Sequence, residues 1–235
     1  MYQHQDINLL SEVIGYNFQN INILKEALTH PSCKSEDQTG ELRDYQRLEF
    51  LGDSVLSLIS AEILLNAFPD SSEGNLAKRQ VALVCGDTLV KVAKKIGLGN
   101  FMIMTESEAA NGGRESANNL ENVLEALIGA IYVDGGMEAA KSFVRKYWQQ
   151  QALGMKVAPR EPKTSLQELL QELGKALPEY RLIERAGPPH APIFTIEIFV
   201  DGVRGFRAQG RSKKLAERKA AALMLEYLEG SSIFR

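Results

Sequence analysis

The chain has 235 residues, 44% hydrophobic and 24% charged, the composition of a globular protein with material for one large or two ordinary domains. A formal net charge of −3 and a pI near 5.8 argue mildly against a protein whose whole surface grips nucleic acid, so any such binding has to come from a local basic patch. Cys33 and Cys85 lack metal-ligand spacing and fit a reducing cytoplasm better than a disulfide framework. No basic stretch with an apolar core opens the chain and no uncharged apolar run reaches ~18 residues, so neither a signal peptide nor a membrane span is expected.

Residues 7–14 read as a short amphipathic helix, broken by Gly15-Tyr16-Asn17-Phe18. Ile21, Leu24, Ala27 and Leu28 begin a second helix that Pro31 stops, and residues 34–44 form a polar loop. Leu48, Leu51, Val55, Leu58 and Ile59 recur at helical spacing and predict a helix over about residues 45–68 with a broad apolar face. Residues 73–84 are helical. Asp87 suits the N-cap of a following helix to Ile96, with Gly97 as its stop. Asn111-Gly112-Gly113 marks a loop. Residues 120–132 are apolar nearly all round and predict a buried helix, closed by Asp134-Gly135-Gly136, with one more helix over 137–151. No stretch before Gly154 reads as a strand, so residues 1–153 form an all-α domain.

Pro159 and Pro162 amid charges mark residues 154–163 as a linker. Ser165 and Glu168 are spaced as a capping box for a short helix that Gly174 ends. Residues 180–185 are strand-like, residues 193–200 alternate apolar and polar, and Asp201-Gly202 turns the chain into a third strand over 203–209. A long Ala-rich helix covers 212–228. The order α-β-β-β-α over residues 164–230 describes a small α+β domain.

Two stretches carry chemistry. Glu49 and Asp53 stand four residues apart, so both carboxylates share one side of their helix and repel by roughly 0.2–0.5 kcal/mol if exposed, more if desolvated. Gly52 between them admits another backbone or a ligand. Such a pair suits a hard cation with oxygen ligands, or else a solvated helix edge. Glu125, amid apolar residues, is costly to bury unpaired, and a metal shared with Glu49 and Asp53 relieves all three. In the second domain, Lys213 and Lys214 occupy the first turn of a helix, where the macrodipole disfavours cations. A phosphate between them and the free N–H groups accounts for the placement, and a solvated basic cap is the plainer reading.

The string Arg47-Leu48-Glu49-Phe50-Leu51-Gly52-Asp53-Ser54, followed by Glu125-Ala126-Leu127-Ile128-Gly129-Ala130, resembles the signature of the bacterial ribonuclease III family. The second domain, with Gly210-Arg211-Ser212-Lys213-Lys214-Leu215-Ala216-Glu217 opening its last helix, resembles a double-stranded-RNA-binding domain, and the tandem is that family's architecture. The resemblance implies a cytoplasmic, homodimeric endoribonuclease that hydrolyses double-stranded RNA to 5′-phosphate and 3′-hydroxyl ends with Mg²⁺, or Mn²⁺ in its place, in rRNA and mRNA precursor processing. It implies Asp53 and Glu125 as catalytic residues and Glu49, Asp53, Asn122 and Glu125 as the metal set. Gln46 and Glu73 would face the substrate, and Phe50 would insert into the partner at the dimer interface. Thr164, Gln167, Glu168, His190, Lys213 and Lys214 would touch RNA, the first three through 2′-hydroxyls.

Gln46 and Asn122 depart from the family's usual Glu and Asp. An amide oxygen can coordinate Mg²⁺ but brings no charge, so Asn122 as a neutral ligand implies weaker metal affinity. Glu121 is a substitute, since with ~100° per residue Glu121 and Asn122 flank Glu125 on its two sides. Glu73 is equally a first-turn helix acid, and His30 a helix-end packing residue. A binding regulator with a weakened site is the alternative function. A phosphohydrolase of small nucleotides is disfavoured by the second domain.

Overall fold

A computed structural model describes residues 7–34, 43–159, 161–187 and 192–230. It divides into two units, Met1–Pro159 and Arg160–Arg235. In the first unit the described helices are α1 (Ile7–Ile14), α2 (Ile21–Leu28), α3 (Pro31–Lys34), α4 (Gln46–Ala67), α5 (Glu73–Val84), α6 (Gly86–Ile96), α7 (Glu106–Ala110) and α8 (Ala117–Gly154). Short 3-10 turns lie at Leu98–Phe101 and Gly113–Glu115.

The core forms where α4 packs on α8. Leu48, Gly52, Val55, Leu56, Ile59, Ser60, Ile63 and Leu64 bury one stripe of α4 at spacings of three and four. Leu58, expected on that face, lies off the stripe and is 57% exposed. From α8, residues Leu120, Val123, Leu124, Leu127, Ile128 and Ile131 complete the centre. The α8 run is interrupted at Gly136 (φ 74°, ψ −173°), where the sequence places a helix end. Just before that break Asp134 accepts from the Tyr16 hydroxyl at 2.7 Å and from the Gln19 and Asn20 N–H groups at 2.8 Å, tying the start of α2 to α8. Trp148 is fully buried and donates its indole N–H to the Leu83 carbonyl at 2.9 Å, as a buried indole must find an acceptor. The buried Arg79 guanidinium lies 4.0 Å over the Phe68 ring and donates to the Met155 and Lys156 carbonyls at 3.0 and 3.2 Å, fixing the chain just past α8.

Asp87 is not the cap of α6. Cys85 holds that position without a side-chain bond, the helix starts at Gly86, and Asp87 lies in the first turn, where its charge favours the dipole. Gly97 ends the helix as expected.

The second unit comprises α9 (Pro162–Glu172), β1 (Glu179–Ala186), β2 (Ile193–Val200), β3 (Val203–Gly210) and α10 (Lys213–Gly230). The sheet is antiparallel in the order β1-β2-β3, with Tyr180 opposite Ile198 and Ile198 opposite Phe206, and a register shift between Leu182 and Glu184. Ile198 and Val200 pack with Leu166 and Leu170 of α9 and Ala220, Ala221 and Met224 of α10. Here too one cap differs. Helix α9 begins three residues before Ser165, with Pro162 in its first turn and Glu161 as N-cap, because proline needs no N–H partner there. Ser165 is inside the helix, its N–H bonded to the Glu161 carbonyl at 2.9 Å. The far end is as read. Gly174 takes a left-handed conformation, its N–H meeting the Gln171 carbonyl at 3.0 Å, while Lys175 N–H meets the Leu170 carbonyl at 2.8 Å.

Candidate active site

The site is built by two glycines. A Cβ on Gly52 would fall on the Glu125 carbonyl, and a Cβ on Gly129 would fall on the Leu48 carbonyl. The backbones of α4 and α8 therefore touch at one crossing, which only glycine on both sides allows. Glu49 and Asp53 bracket Gly52 in sequence, and Glu125 stands one turn before Gly129. The crossing brings the three carboxylates of the two motifs together.

Electrostatics agrees. Burial, then the charges of Asp53, Glu121 and Glu49, push the Glu125 carboxyl up to about 8. Glu49 is raised by burial and by the charges of Glu121 and Asp44, and Glu121 by burial and the charge of Asp87. These carboxylates repel one another. Among the described residues no three acidic, histidine or cysteine side chains stand close enough together to hold a metal ion as they are placed. The donor set, hard oxygens with an excess of negative charge, fits a hard divalent cation, which takes carboxylates and keeps water and phosphate for its remaining positions.

The flanking positions divide. Asn122 is half-buried and its side chain lies near the Tyr45 phenol. Burial raises the Tyr45 hydroxyl's pKa, so it stays protonated. Tyr45 lies edge-on to His30 at 5.8 Å, and His30 Nδ1 accepts from the Ser32 N–H at 3.0 Å. Gln46 is exposed in the first turn of α4, its N–H bonded to the Asp44 carboxylate at 3.1 Å. Glu73 is exposed in the first turn of α5 and is not among the charges acting on Glu49, Glu121 or Glu125. Phe50 is 77% exposed, and Leu58 and Leu65 lie bare within about 80° of it around α4. Sequence reasoning missed Tyr45, Gly86 and Asp87. They neighbour Asn122 and Glu121 only through folding, and no spacing in the chain announces that.

In the second unit Thr164, Gln167 and Glu168 share the solvent face of α9, opposite the buried Leu166 and Leu170. Lys213 and Lys214 are exposed in the first turn of α10, where Ser212 Oγ accepts from the Leu215 N–H at 3.2 Å. Lys163 meets Glu217 at 2.7 Å and Arg218 meets Glu161 at 3.5 Å, joining α9 to α10 and fixing the two polar faces relative to each other. His190 lies outside the described residues.

A family model described as Ribonuclease-III-like matches residues 20–151, and one described as a double-stranded RNA binding motif matches residues 162–228. The chain belongs to the ribonuclease III family. It is 51% identical over 228 residues to Ribonuclease 3 of Wolbachia sp. subsp. Brugia malayi, covering 97% of this chain and 94% of the relative. The crystal structure of the ribonuclease III nuclease domain from Campylobacter jejuni matches with a TM-score of 0.57 and 37% identity, over 63% of this chain and 96% of that one. A second structure of that Campylobacter domain has a TM-score of 0.56 and 38% identity over 61% of this chain and 99% of that one; it is described by structural flexibility in a region involved in dimer formation. The ribonuclease III match spans α2 to α8 and includes the Gly52–Gly129 crossing.

The raised Glu125 carboxyl predicts a pH effect in this ribonuclease III fold. Between pH ~4.5 and about 8 the folded chain holds a proton that the unfolded chain has released, so stability falls as pH rises through that window. Thermal melts in EDTA should show a lower Tm at pH 8 than at pH 5.5, with about 2–4 °C per kcal/mol for a chain of this size. Glu125→Gln should remove most of that slope. A native Tm that is flat or rising over the window would mean Glu125 is ionised throughout.

Proposed function

We propose that the chain is a Mg²⁺-dependent endoribonuclease that cuts double-stranded RNA to 5′-phosphate and 3′-hydroxyl ends. The observation that carries this is the meeting of Glu49, Asp53 and Glu125 at the α4–α8 crossing, in a chain whose other unit is a double-stranded-RNA-binding domain. Glu49, Asp53 and Glu125 would hold the cation, with Asn122 as a neutral oxygen donor beside them. When bound, Mg²⁺ activates water and neutralises charge at the scissile phosphate, and Mn²⁺ can replace it. Asp53, exposed at the rim, is placed to orient the attacking water and take up its proton at a carboxylate oxygen. Gln46, exposed beside the site, faces the substrate as a neutral donor, and Glu73 does so from α5.

Two antiparallel strands of a duplex present equivalent phosphates related by a two-fold axis, so cutting both calls for two copies of the site. The bare Phe50, Leu58 and Leu65 surface on the helix that carries Glu49 and Asp53 supports a homodimer through that face. Among the described residues no helix is long and apolar enough to cross a membrane. Two free cysteines support action in the reducing cytoplasm, on precursors of rRNA and mRNA.

The α9 face of Thr164, Gln167 and Glu168 suits 2′-hydroxyls, which distinguish RNA from DNA, and the family resemblance implies His190 as a further RNA contact. Lys213 and Lys214 suit phosphate at the start of α10. Replacing both lysines with Ala should weaken duplex RNA binding and lower its log–log salt slope by about two units, because each phosphate contact releases about one counterion. Filter binding from 50 to 300 mM salt reads the slope. An unchanged slope would return both lysines to a solvated cap, and equal affinity for DNA and RNA duplexes would contradict the assigned RNA face.

A further inference from the structure

His30 has two sides, and local structure accounts for one of them. Its Nδ1 accepts from the Ser32 N–H at 3.0 Å and its carbonyl accepts from the Cys33 N–H at 3.0 Å, so it caps the start of α3. Asparagine is a preferred residue for that task, and capping alone gives no reason for an imidazole. The other side of the ring faces the rest of the domain. Because Nδ1 is an acceptor, the ring proton sits on Nε2. Nε2 is turned to the Glu108 carboxylate, 3.9 Å from Oε1. The ring also meets the buried Tyr45 edge-on at 5.8 Å.

Both neighbours lead to the helices of the site. Tyr45 is the N-cap residue of α4. Its carbonyl accepts from the Glu49 N–H at 2.9 Å, its own N–H donates to the Thr29 carbonyl at 3.0 Å, and its phenol lies near Asn122 of α8. Glu108, in α7, accepts from the amide of Asn119 in the first turn of α8 at 3.1 Å. It is seated closely, since a Cβ on Gly113 would come within 3 Å of its carboxylate. The backbone is tied at the same place, the His30 N–H bonding the Ile103 carbonyl at 2.7 Å and the Thr105 N–H bonding Ser32 Oγ at 3.3 Å. The first turns of α4 and α8 thus rest on the two partners of one imidazole.

We propose that His30 is a positioning residue for duplex cleavage: through Nε2 and its ring edge it holds Glu108 and Tyr45, and with them the first turns of α8 and α4, in the arrangement that brings Glu49 to Glu125. The inference rests on reading Glu49, Asp53 and Glu125 as the cleavage site. His30 itself touches neither the cation nor RNA. It acts on the rate of the bound complex and leaves duplex affinity to the second unit.

The test separates the two sides of the ring in the full chain, by steady-state cleavage of a duplex RNA at saturating Mg²⁺ and by metal-free melting. His30→Asn keeps the cap and withdraws Nε2 and the ring. His30→Gln withdraws the cap and keeps a donor toward Glu108. His30→Asn is expected to melt above His30→Gln, to keep the native KM and to lose about tenfold in kcat, since a small misplacement of reacting groups is costly. His30→Gln is expected to keep kcat within about threefold of native despite its lower Tm. Glu108→Gln, which leaves an oxygen for Asn119 and removes the charge, should lower kcat about as His30→Asn does, and the two changes together should cost no more than either alone. The proposal is overturned if His30→Asn keeps kcat within threefold of native, if its loss falls on KM, if His30→Gln loses as much kcat as His30→Asn, or if the His30 and Glu108 losses add. Glu49→Gln identifies the level of a failure. A large loss there with native kcat in His30→Asn removes the role of His30 alone, whereas native cleavage by Glu49→Gln removes the site reading and the proposal with it.

Discussion

Gly52→Ala should lower the Tm by about 6–12 °C and remove cleavage activity. The added methyl meets the carbonyl carbon and oxygen of Glu125 and the N–H of Gly129, all backbone. No side chain can swing aside, so α4 and α8 have to separate. Overpacking of this kind costs about 1–3 kcal/mol where side chains can adjust. Between two helix backbones the upper end of that range is the minimum, and the ~1 kcal/mol that Ala adds to helix propensity does not offset it. At about 2–4 °C per kcal/mol this gives the stated shift. Gly129→Ala should behave alike, since its methyl meets the Leu48 carbonyl. Gly74→Ala is the control. It lies in α5 with nothing within 4 Å of the new methyl, and it should keep or slightly raise the Tm. Equal melting of the Gly52→Ala and Gly74→Ala proteins would contradict the backbone crossing on which the site is built.

Asp53→Asn and Glu125→Gln should each reduce duplex cleavage by at least ~10³-fold, about 4 kcal/mol of transition-state stabilisation, and leave duplex binding within a few-fold. Each change keeps the side chain's size and removes a charge that the cation requires. The metal-free protein should not be destabilised, because Glu125 is raised by its own burial and by the charge of Asp53, and either substitution relieves that repulsion. The combination of lost cleavage, retained binding and undiminished Tm separates a catalytic role from a folding one. Cleavage within tenfold of native in either variant would remove that residue from the chemistry.

The sequence carried the helices and the acids, and it carried them for a physical reason. Leu48, Val55 and Ile59 recur on one face because that face is buried, and Glu49 and Asp53 share a side because four residues make nearly a whole turn. Gly52 was legible as a point of close approach. What approaches it, the carbonyl of Glu125, is 73 residues away along the chain and is decided by tertiary packing. The same limit hid Tyr45 behind Asn122 and Gly86 behind Glu121. Leu58 was misplaced because periodicity alone cannot tell the edge of an apolar stripe from its centre, and the structure leaves that side chain bare. The caps at Asp87 and Ser165 went wrong for a local reason. A capping residue is defined by which N–H groups it accepts from, and Cys85 and Glu161 took those positions through backbone conformation without a side-chain bond. In the second unit the strands and their turn were legible because Asp201-Gly202 and the alternation of β2 are short-range signals.

The most direct measurement is incubation of the purified full chain with a long, perfectly paired RNA duplex and Mg²⁺, with the product ends identified and binding to the same duplex measured in parallel. The account predicts cuts in both strands, 5′-phosphate and 3′-hydroxyl ends, and no cleavage in EDTA. Tight binding without cleavage at any Mg²⁺ concentration would contradict it and would make the chain a double-stranded-RNA-binding regulator.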